Sequence, residues 1–221
     1  MPLWGVAYIA SNNRLERALQ AIISSWHEFK RNLPWRDKED PWEVLLAEVL
    51  LIQTDAAKVS TVYQKIVECL RSPEDALKVG EGVIADLLRP LGLHRQRALR
   101  IIKAAKIIKE KYGGKVPTKY QELKEVPGIG EYAAAAIAIY FGEWAPVMDV
   151  NIARILSRIV LGRNPPKRYM YDGELRRLTS QVAWKKEVLY AVLDFAAQIC
   201  TARKPKCTKC PAAGYCAYRR S

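Results

Sequence analysis

Four cysteines fall in one short stretch near the end of the chain, spaced Cys200-x6-Cys207-x2-Cys210-x5-Cys216. Four thiolates from one continuous loop suit either a tetrahedral zinc ion or a 4Fe-4S cluster, since both take soft sulfur ligands. The usual zinc pattern of two separated C-x2-C pairs is not this spacing. Two carboxylates stand out by their settings. Glu48 lies inside PWEVLLAEVLLIQT, where Val44 to Ala47 and Val49 to Ile52 are apolar without interruption. A helix apolar all round is buried, and a lone carboxylate within it needs a hydrogen-bonding partner or a polar cavity. Asp149 ends the loop from Pro146 and directly precedes a helical segment, which is the place of an N-cap. The positive end of that helix dipole favours the ionised carboxylate. Between the two, Pro127-Gly128-Ile129-Gly130 separates a short helical segment from an apolar one. Glycines at 128 and 130 permit φ > 0 and close approach, so the amides heading the second helix can point together at a phosphate.

Placing these residues calls for helices. Leu15, Ala18, Leu19, Ile22, Ile23 and Trp26 recur at helical spacing over Arg14 to Lys30. Pro41 opens the Glu48 helix, and Ala56 to Leu70 follows the polar break Gln53-Thr54-Asp55. Ser72-Pro73 starts a short helix, and Glu81 to Leu88 reads as another. Pro90 to Arg95 is a turn before a long helix from Gln96 to Lys111, with Ile101, Ile102, Ala105 and Ile108 as the buried stripe and Arg97, Arg100, Lys103 and Lys106 on solvated faces. A helix from about Val150 to Val160 follows Asp149, Gly162 to Lys186 is polar and basic, and Val188 to Ile199 is an apolar helix leading into the cysteines. The fifth cysteine, Cys69, stands apart and reads as a core residue.

Lys and Arg number 36 against 23 Asp and Glu, a formal charge of +13, which favours a polyanionic partner. The 50% hydrophobic content of 221 residues is enough for a sizeable core. No apolar run spans a bilayer, and the start MPLWGVAYIASNN lacks the basic region of a signal peptide. A cytoplasmic protein in a reducing compartment is therefore expected, with the clustered cysteines serving as metal ligands in preference to disulfides. Arg203, Lys204, Lys206, Lys209, Arg219 and Arg220 surround the cysteines, with no acidic residue from Cys200 to Ser221. Such a loop can lie on phosphates and add salt-dependent affinity without reading sequence.

The run L-x-x-V-P-G-I-G-x-Y-A-A, then Asp149 in V-M-D-V-N, together with the six-two-five cysteine spacing, resembles the helix-hairpin-helix DNA glycosylase superfamily. That superfamily includes endonuclease III and the mismatch-specific adenine and thymine glycosylases, and the likeness runs from about Leu33 to Cys216. It implies an all-α protein of two helical lobes: 34–144 with the hairpin, and 1–33 with 145–221 carrying a 4Fe-4S cluster on Cys200, Cys207, Cys210 and Cys216. The implied partner is double-stranded DNA holding a mispaired base. Asp149 becomes the carboxylate that stabilises the sugar cation and activates water. Glu48, in AEVLLIQT, becomes the pocket glutamate of the adenine and thymine enzymes, which endonuclease III lacks. By the same likeness Ile52 or Gln53 fills the hole left by the extruded nucleotide, and Leu93 is a second wedge beside His94 and Arg95. Gly128, Ile129 and Gly130 hold phosphate, as do Arg203, Lys204 and Lys206. Bifunctional members carry at position 132 a lysine whose amine attacks the sugar. Here it is Tyr132, as in the thymine enzymes, where adenine enzymes tend to have serine. The expectation is a monomeric, monofunctional glycosylase removing thymine or uracil opposite guanine. Adenine excision opposite guanine or 8-oxoguanine is the alternative that Glu48 favours. A non-catalytic DNA-binding iron-sulfur protein is a third, for which neither carboxylate has a use.

Overall fold

A computed structural model describes residues 13–219, and these are helical with no strand among them. In chain order the helices are α1 (Asn13–Ser24), α2 (Pro41–Leu51), α3 (Ala56–Cys69), α4 (Pro73–Val79), α5 (Glu81–Leu87), α6 (His94–Tyr112), α7 (Tyr120–Lys124), α8 (Glu131–Tyr140), α9 (Val150–Leu156), α10 (Gly173–Ser180) and α11 (Lys186–Gln198). The opening segment through Asn12, assessed above for a signal region, and Arg220 lie outside the described residues. No helix among the described residues is long and apolar enough to cross a membrane.

Short polar side chains set several helix starts by taking up amides that the first turn leaves unpaired. The Asp40 carboxylate accepts from the Trp42 amide at 2.8 Å, Asp55 from Ala57 at 2.8 Å, Ser72 from Asp75 at 3.1 Å and Asp172 from Leu175 at 3.0 Å. Two expectations need correction. The first helix stops at Ser24 and gives way to a 3-10 turn, Trp26–Glu28. Cys69 is exposed, because Ile66, Val67 and Leu70 take the inward positions at the end of α3. The polar and basic segment 162–186 also contains α10, a helix not expected from its sequence, with Leu175, Leu178 and Thr179 buried at helical spacing behind the Asp172 cap.

The chain divides into two compact units, one formed by 32–143 and one by the parts before and after it. In the first, α2 is the core: Leu45, Leu46 and Leu50 are fully buried, each contributing roughly 1.5–3 kcal/mol. It packs against α3, α6 and α8, while α4 and α5 lie on α6. Polar tips of buried rings tie the unit together. The Trp42 indole donates to the Leu70 carbonyl at 2.8 Å, and the Tyr63 hydroxyl to the Glu43 carbonyl at 3.0 Å. The Tyr140 hydroxyl donates to the carbonyls of Arg36 and Lys38 at 2.8 and 2.7 Å. Burial pushes the Tyr140 phenol up to about 12, so it remains a donor across the physiological range.

In the second unit α1 packs on α11, and α11 on α9. Fully buried Asp194 of α11 accepts from the Trp26 indole at 2.9 Å, the Arg31 amide at 3.1 Å and the Arg31 guanidinium, locking the exit of α1 onto α11. After Leu156, α9 continues as a π-helical turn, Ser157–Leu161, a widening often found at functional sites.

Candidate active site and cluster loop

The Asp149 loop is built from the inside. Ala145 and Val147 are fully buried, the Thr179 hydroxyl donates to the Val147 carbonyl at 2.6 Å, and the Trp144 indole to that of Val182 at 2.9 Å. The loop ends on Asp149, which caps α9 as the sequence predicts: one carboxylate oxygen accepts from the Ile152 amide at 2.7 Å and the other from the Asn151 side chain at 2.8 Å. The ionisation picture differs from the dipole argument. Burial pushes the Asp149 carboxyl above the ordinary aspartate value, and the bonds from Ile152 and Asn151, with the Arg154 charge, only partly oppose it. A carboxylate so desolvated is a stronger proton acceptor once ionised.

Behind Asp149 stands a chain of contacts that sequence reasoning missed. Arg154 donates to the Asn151 side-chain oxygen at 3.1 Å, the Cys200 carbonyl at 2.9 Å and the Ala196 carbonyl at 3.0 Å. One turn on, Arg158 is 2% exposed. Its guanidinium donates to the Cys200 sulfur at 3.4 Å, to the carbonyls of Thr201 and Ala202 at 2.8 Å each, and to Asn164 at 2.9 Å. It also lies over the Tyr218 ring at 4.9 Å. The i, i+3, i+7 spacing of Asn151, Arg154 and Arg158 was the available signal.

Cys200, Cys207, Cys210 and Cys216 all line one cavity of about 410 Å3, counting its mouth open to solvent. Burial raises the Cys200 thiol, against the pull of Arg158, and pushes Cys210 up to about 11. Four sulfur donors on one cavity are the donor set that a thiolate-ligated metal group takes. Among the described residues no three ligand-type side chains gather closely enough for a single ion. Arg203, Lys204 and Lys206 are exposed on this loop.

The unit formed by 32–143 holds the remaining candidates. Glu48 is half-buried on α2 between fully enclosed neighbours Ala47 and Val49. Tyr132 is half-buried in the first turn of α8. Ile52, also half-buried, ends α2, and Gln53 beside it is exposed with a left-handed φ of 52°. Leu93 is 42% exposed with φ 49°, His94 opens α6 and Arg95 is exposed. These two loops come together through Arg97, read above as solvated and in fact 1% exposed.

At the hairpin, α7, the turn and α8 stand where predicted, with one change. Gly128 has φ 89°, and a Cβ there would meet the Arg100 Cβ of α6 at 3.0 Å. This glycine is needed both for its φ and for the approach. Gly130 does not adopt φ > 0: it is extended at φ −81°, ψ 171°, and a Cβ on it would meet nothing within 4 Å. The space above it is open to a partner. Ile129 turns its side chain inward, and its amide is taken by the Val126 carbonyl at 3.2 Å. No side chain caps α8, whose first amides follow Gly130. Glu48 and Tyr132 thus stand on one unit, Asp149 and the cysteines on the other.

The chain is 36% identical over 209 residues to a thymine-DNA glycosylase of Aeropyrum pernix, covering 91% of this chain and 94% of that protein. It is 32% identical over 212 residues to a thymine/uracil-DNA glycosylase of Methanothermobacter thermautotrophicus, covering 95% and 96%. Its fold matches the solved structure of a thermostable thymine-DNA glycosylase with a TM-score of 0.87 at 31% identity, over 96% of this chain and 99% of that one. Residues 46–183, which include Glu48, the hairpin and Asp149, match the family described as HhH-GPD superfamily base excision DNA repair protein. With more than half its length matched and these relatives aligned nearly end to end, the chain belongs to the HhH-GPD superfamily of base excision DNA repair proteins.

Proposed function

We propose that this chain is a DNA glycosylase that hydrolyses the N-glycosidic bond of thymine or uracil mispaired with guanine in double-stranded DNA and leaves the abasic strand intact. The observation that carries the reading is its near full-length similarity to thymine and thymine/uracil glycosylases, joined to a tyrosine at position 132. A phenol cannot form the Schiff base through which a lysine amine cleaves the strand.

The reaction needs an extruded base, which costs a few kcal/mol and least at a mispair. The open head of α8 beyond Gly130 receives a backbone phosphate, and exposed Arg203, Lys204 and Lys206 add salt-dependent affinity. Gln53, exposed where the alternative Ile52 is half-buried, and Leu93 fill the vacated space, His94 and Arg95 lying against the strands. Asp149, ionised, faces the sugar cation that develops as the bond breaks, and it orients and deprotonates the attacking water. Glu48, on the unit formed by 32–143, is the hydrogen-bond partner given to the extruded base, and Tyr132 on the same unit is the ring given to stacking on it. Cys200, Cys207, Cys210 and Cys216 would hold a 4Fe-4S cluster, which supplies a soft cross-link that folds the basic loop and takes no part in bond cleavage. Clustered free thiols of this kind persist in a reducing intracellular compartment, and the protein acts as a monomer.

The test is single-turnover release of free base from duplexes carrying T opposite G, U opposite G, and A opposite G or 8-oxoguanine. Release of thymine and uracil without adenine is expected. Release of adenine alone would transfer the reading to the adenine glycosylases, and release of none of them, with duplex binding intact, would leave a non-catalytic DNA-binding protein.

A further inference from the structure

Among the described residues, only two other than glycine have a left-handed backbone, Gln53 at φ 52° and Leu93 at φ 49°. A side chain with a β-carbon avoids this region, and a bulky leucine most of all. Neither residue adopts it to fill the core. Gln53 is exposed, and Leu93 is 42% exposed. Something behind them must hold both loops in place.

That support is a single guanidinium. Arg97 uses all five of its N–H donors. Nε donates to the Gly92 carbonyl at 3.0 Å, Nη1 to the carbonyls of Val49 and Leu50 at 2.9 Å each, and Nη2 to the Ile52 carbonyl at 2.7 Å and the Thr54 hydroxyl. The Arg97 amide also donates to the Leu93 carbonyl at 3.0 Å. The acceptors flank Gln53 on both sides and adjoin Leu93. The Thr54 hydroxyl reaches the Leu91 carbonyl at 3.5 Å, a second link between the loops. The carbonyls at the end of α2 form the negative pole of that helix, so the buried cation sits on four carbonyls and a hydroxyl.

We propose that Arg97 is a positioning residue that couples the 52–54 and 91–94 loops into one preformed wedge, so that Gln53 and Leu93 enter the DNA duplex together as the base leaves it. This rests on the reading of the chain as a base-extruding glycosylase. Coupling in advance removes the ordering that each loop would otherwise undergo at the moment of insertion. A lysine cannot replace the fork, since its ammonium is a point donor with three hydrogens.

The test compares Arg97→Lys with the parent protein on a T opposite G in a closed duplex and on the same T in a pre-opened bubble, where extrusion is already done. A 2-aminopurine beside the mispair reports extrusion directly, and thermal melting follows the fold. Arg97→Lys is expected to slow duplex excision about 10- to 100-fold and to delay the fluorescence rise, while bubble excision changes less than about 3-fold. Thr54→Val, which removes one acceptor, is expected to act in the same direction but less. Equal losses on both substrates, or no loss on either, would overturn the proposal. Should Arg97→Lys not fold, the pair Gln53→Ala and Leu93→Ala decides the matter in the parent background. Coupled residues together lose little more than the worse single change, whereas strict multiplication of the two losses would overturn the coupling. Because extrusion precedes bond cleavage, a parent protein that releases no thymine sinks the thymine reading, and the fluorescence still decides the role of Arg97.

Discussion

Buried arginines organise both units, and they do so toward opposite ends. In the unit formed by 32–143, Arg97 holds two loops from behind and leaves their tips, Gln53 and Leu93, exposed in strained conformations. In the other unit, Arg154 and Arg158 hold the cysteine loop, and Arg154, through Asn151, backs the desolvated Asp149 carboxylate. The same chemistry, a guanidinium spread over main-chain carbonyls, thus prepares two different tools. The 52–54 and 91–94 loops are held from behind while their tips stay solvated. In the proposed reaction, a carboxylate that accepts a proton beside a forming cation gains from losing water, and the amide and side-chain bonds to Asp149 favour its ionised form.

The largest effect should come from removing that carboxylate. Asp149→Asn is expected to lower single-turnover excision about 10³- to 10⁴-fold with duplex affinity retained, and its melting temperature separates the two roles of the residue. The folded Asp149 value is raised above the unfolded one. Its contribution to stability is therefore fully present below the ordinary aspartate value and is lost as pH rises through the raised one. At neutral pH the ionised group is held at a cost, so the neutral amide should melt at or above the parent temperature. Excision by the parent should rise with pH through that raised value, which a rate profile at saturating enzyme reads directly. A fall in melting temperature as large as the loss of activity would make Asp149 a structural cap only.

Much of this site could be read from residue types and spacing. Asp149 was legible because a short acidic residue before an apolar-periodic run is a cap by local chemistry, and the gathering of the four cysteines at one cavity because their spacing is local too. Arg97 was not, because its partners are carbonyls of α2 and of the Gly92 turn, which no side-chain pattern displays. One sign existed: Arg97 precedes Ile101 by four residues and so lies on the buried stripe of α6. Residue type misled at Cys69, where the end of α3 turns it outward. Gly130 was misread because a glycine in a turn suggests φ > 0, whereas its extended backbone instead leaves room at the head of α8.

The next effect in size concerns the support of Asp149. Arg154→Gln leaves the carbonyls of Cys200 and Ala196 short of their donor and should cost about 2–4 kcal/mol in stability. It should also slow excision about 10-fold as Asp149 loses its fixed orientation, a drop visible in denaturant melts alongside single-turnover rates. Unchanged stability and rate would mean that the cluster loop and the carboxylate are held independently. The smallest effect belongs to the exposed basic loop. Lys204→Ala with Lys206→Ala should flatten the salt dependence of duplex binding by about 0.9 in log–log slope for each phosphate no longer neutralised, with excision at saturating enzyme unchanged. An altered saturating rate would move those lysines from holding DNA to shaping the site.

The most direct measurement follows free thymine and strand integrity together in one single-turnover reaction on a T opposite G duplex, with half of each time point treated with alkali. Thymine should appear while the strand stays whole, and breaks should appear only in the alkali-treated half at the same rate as thymine. No thymine release would contradict the proposed activity. Breaks that keep pace with thymine without alkali would contradict the role given to Tyr132 and call for a different nucleophile.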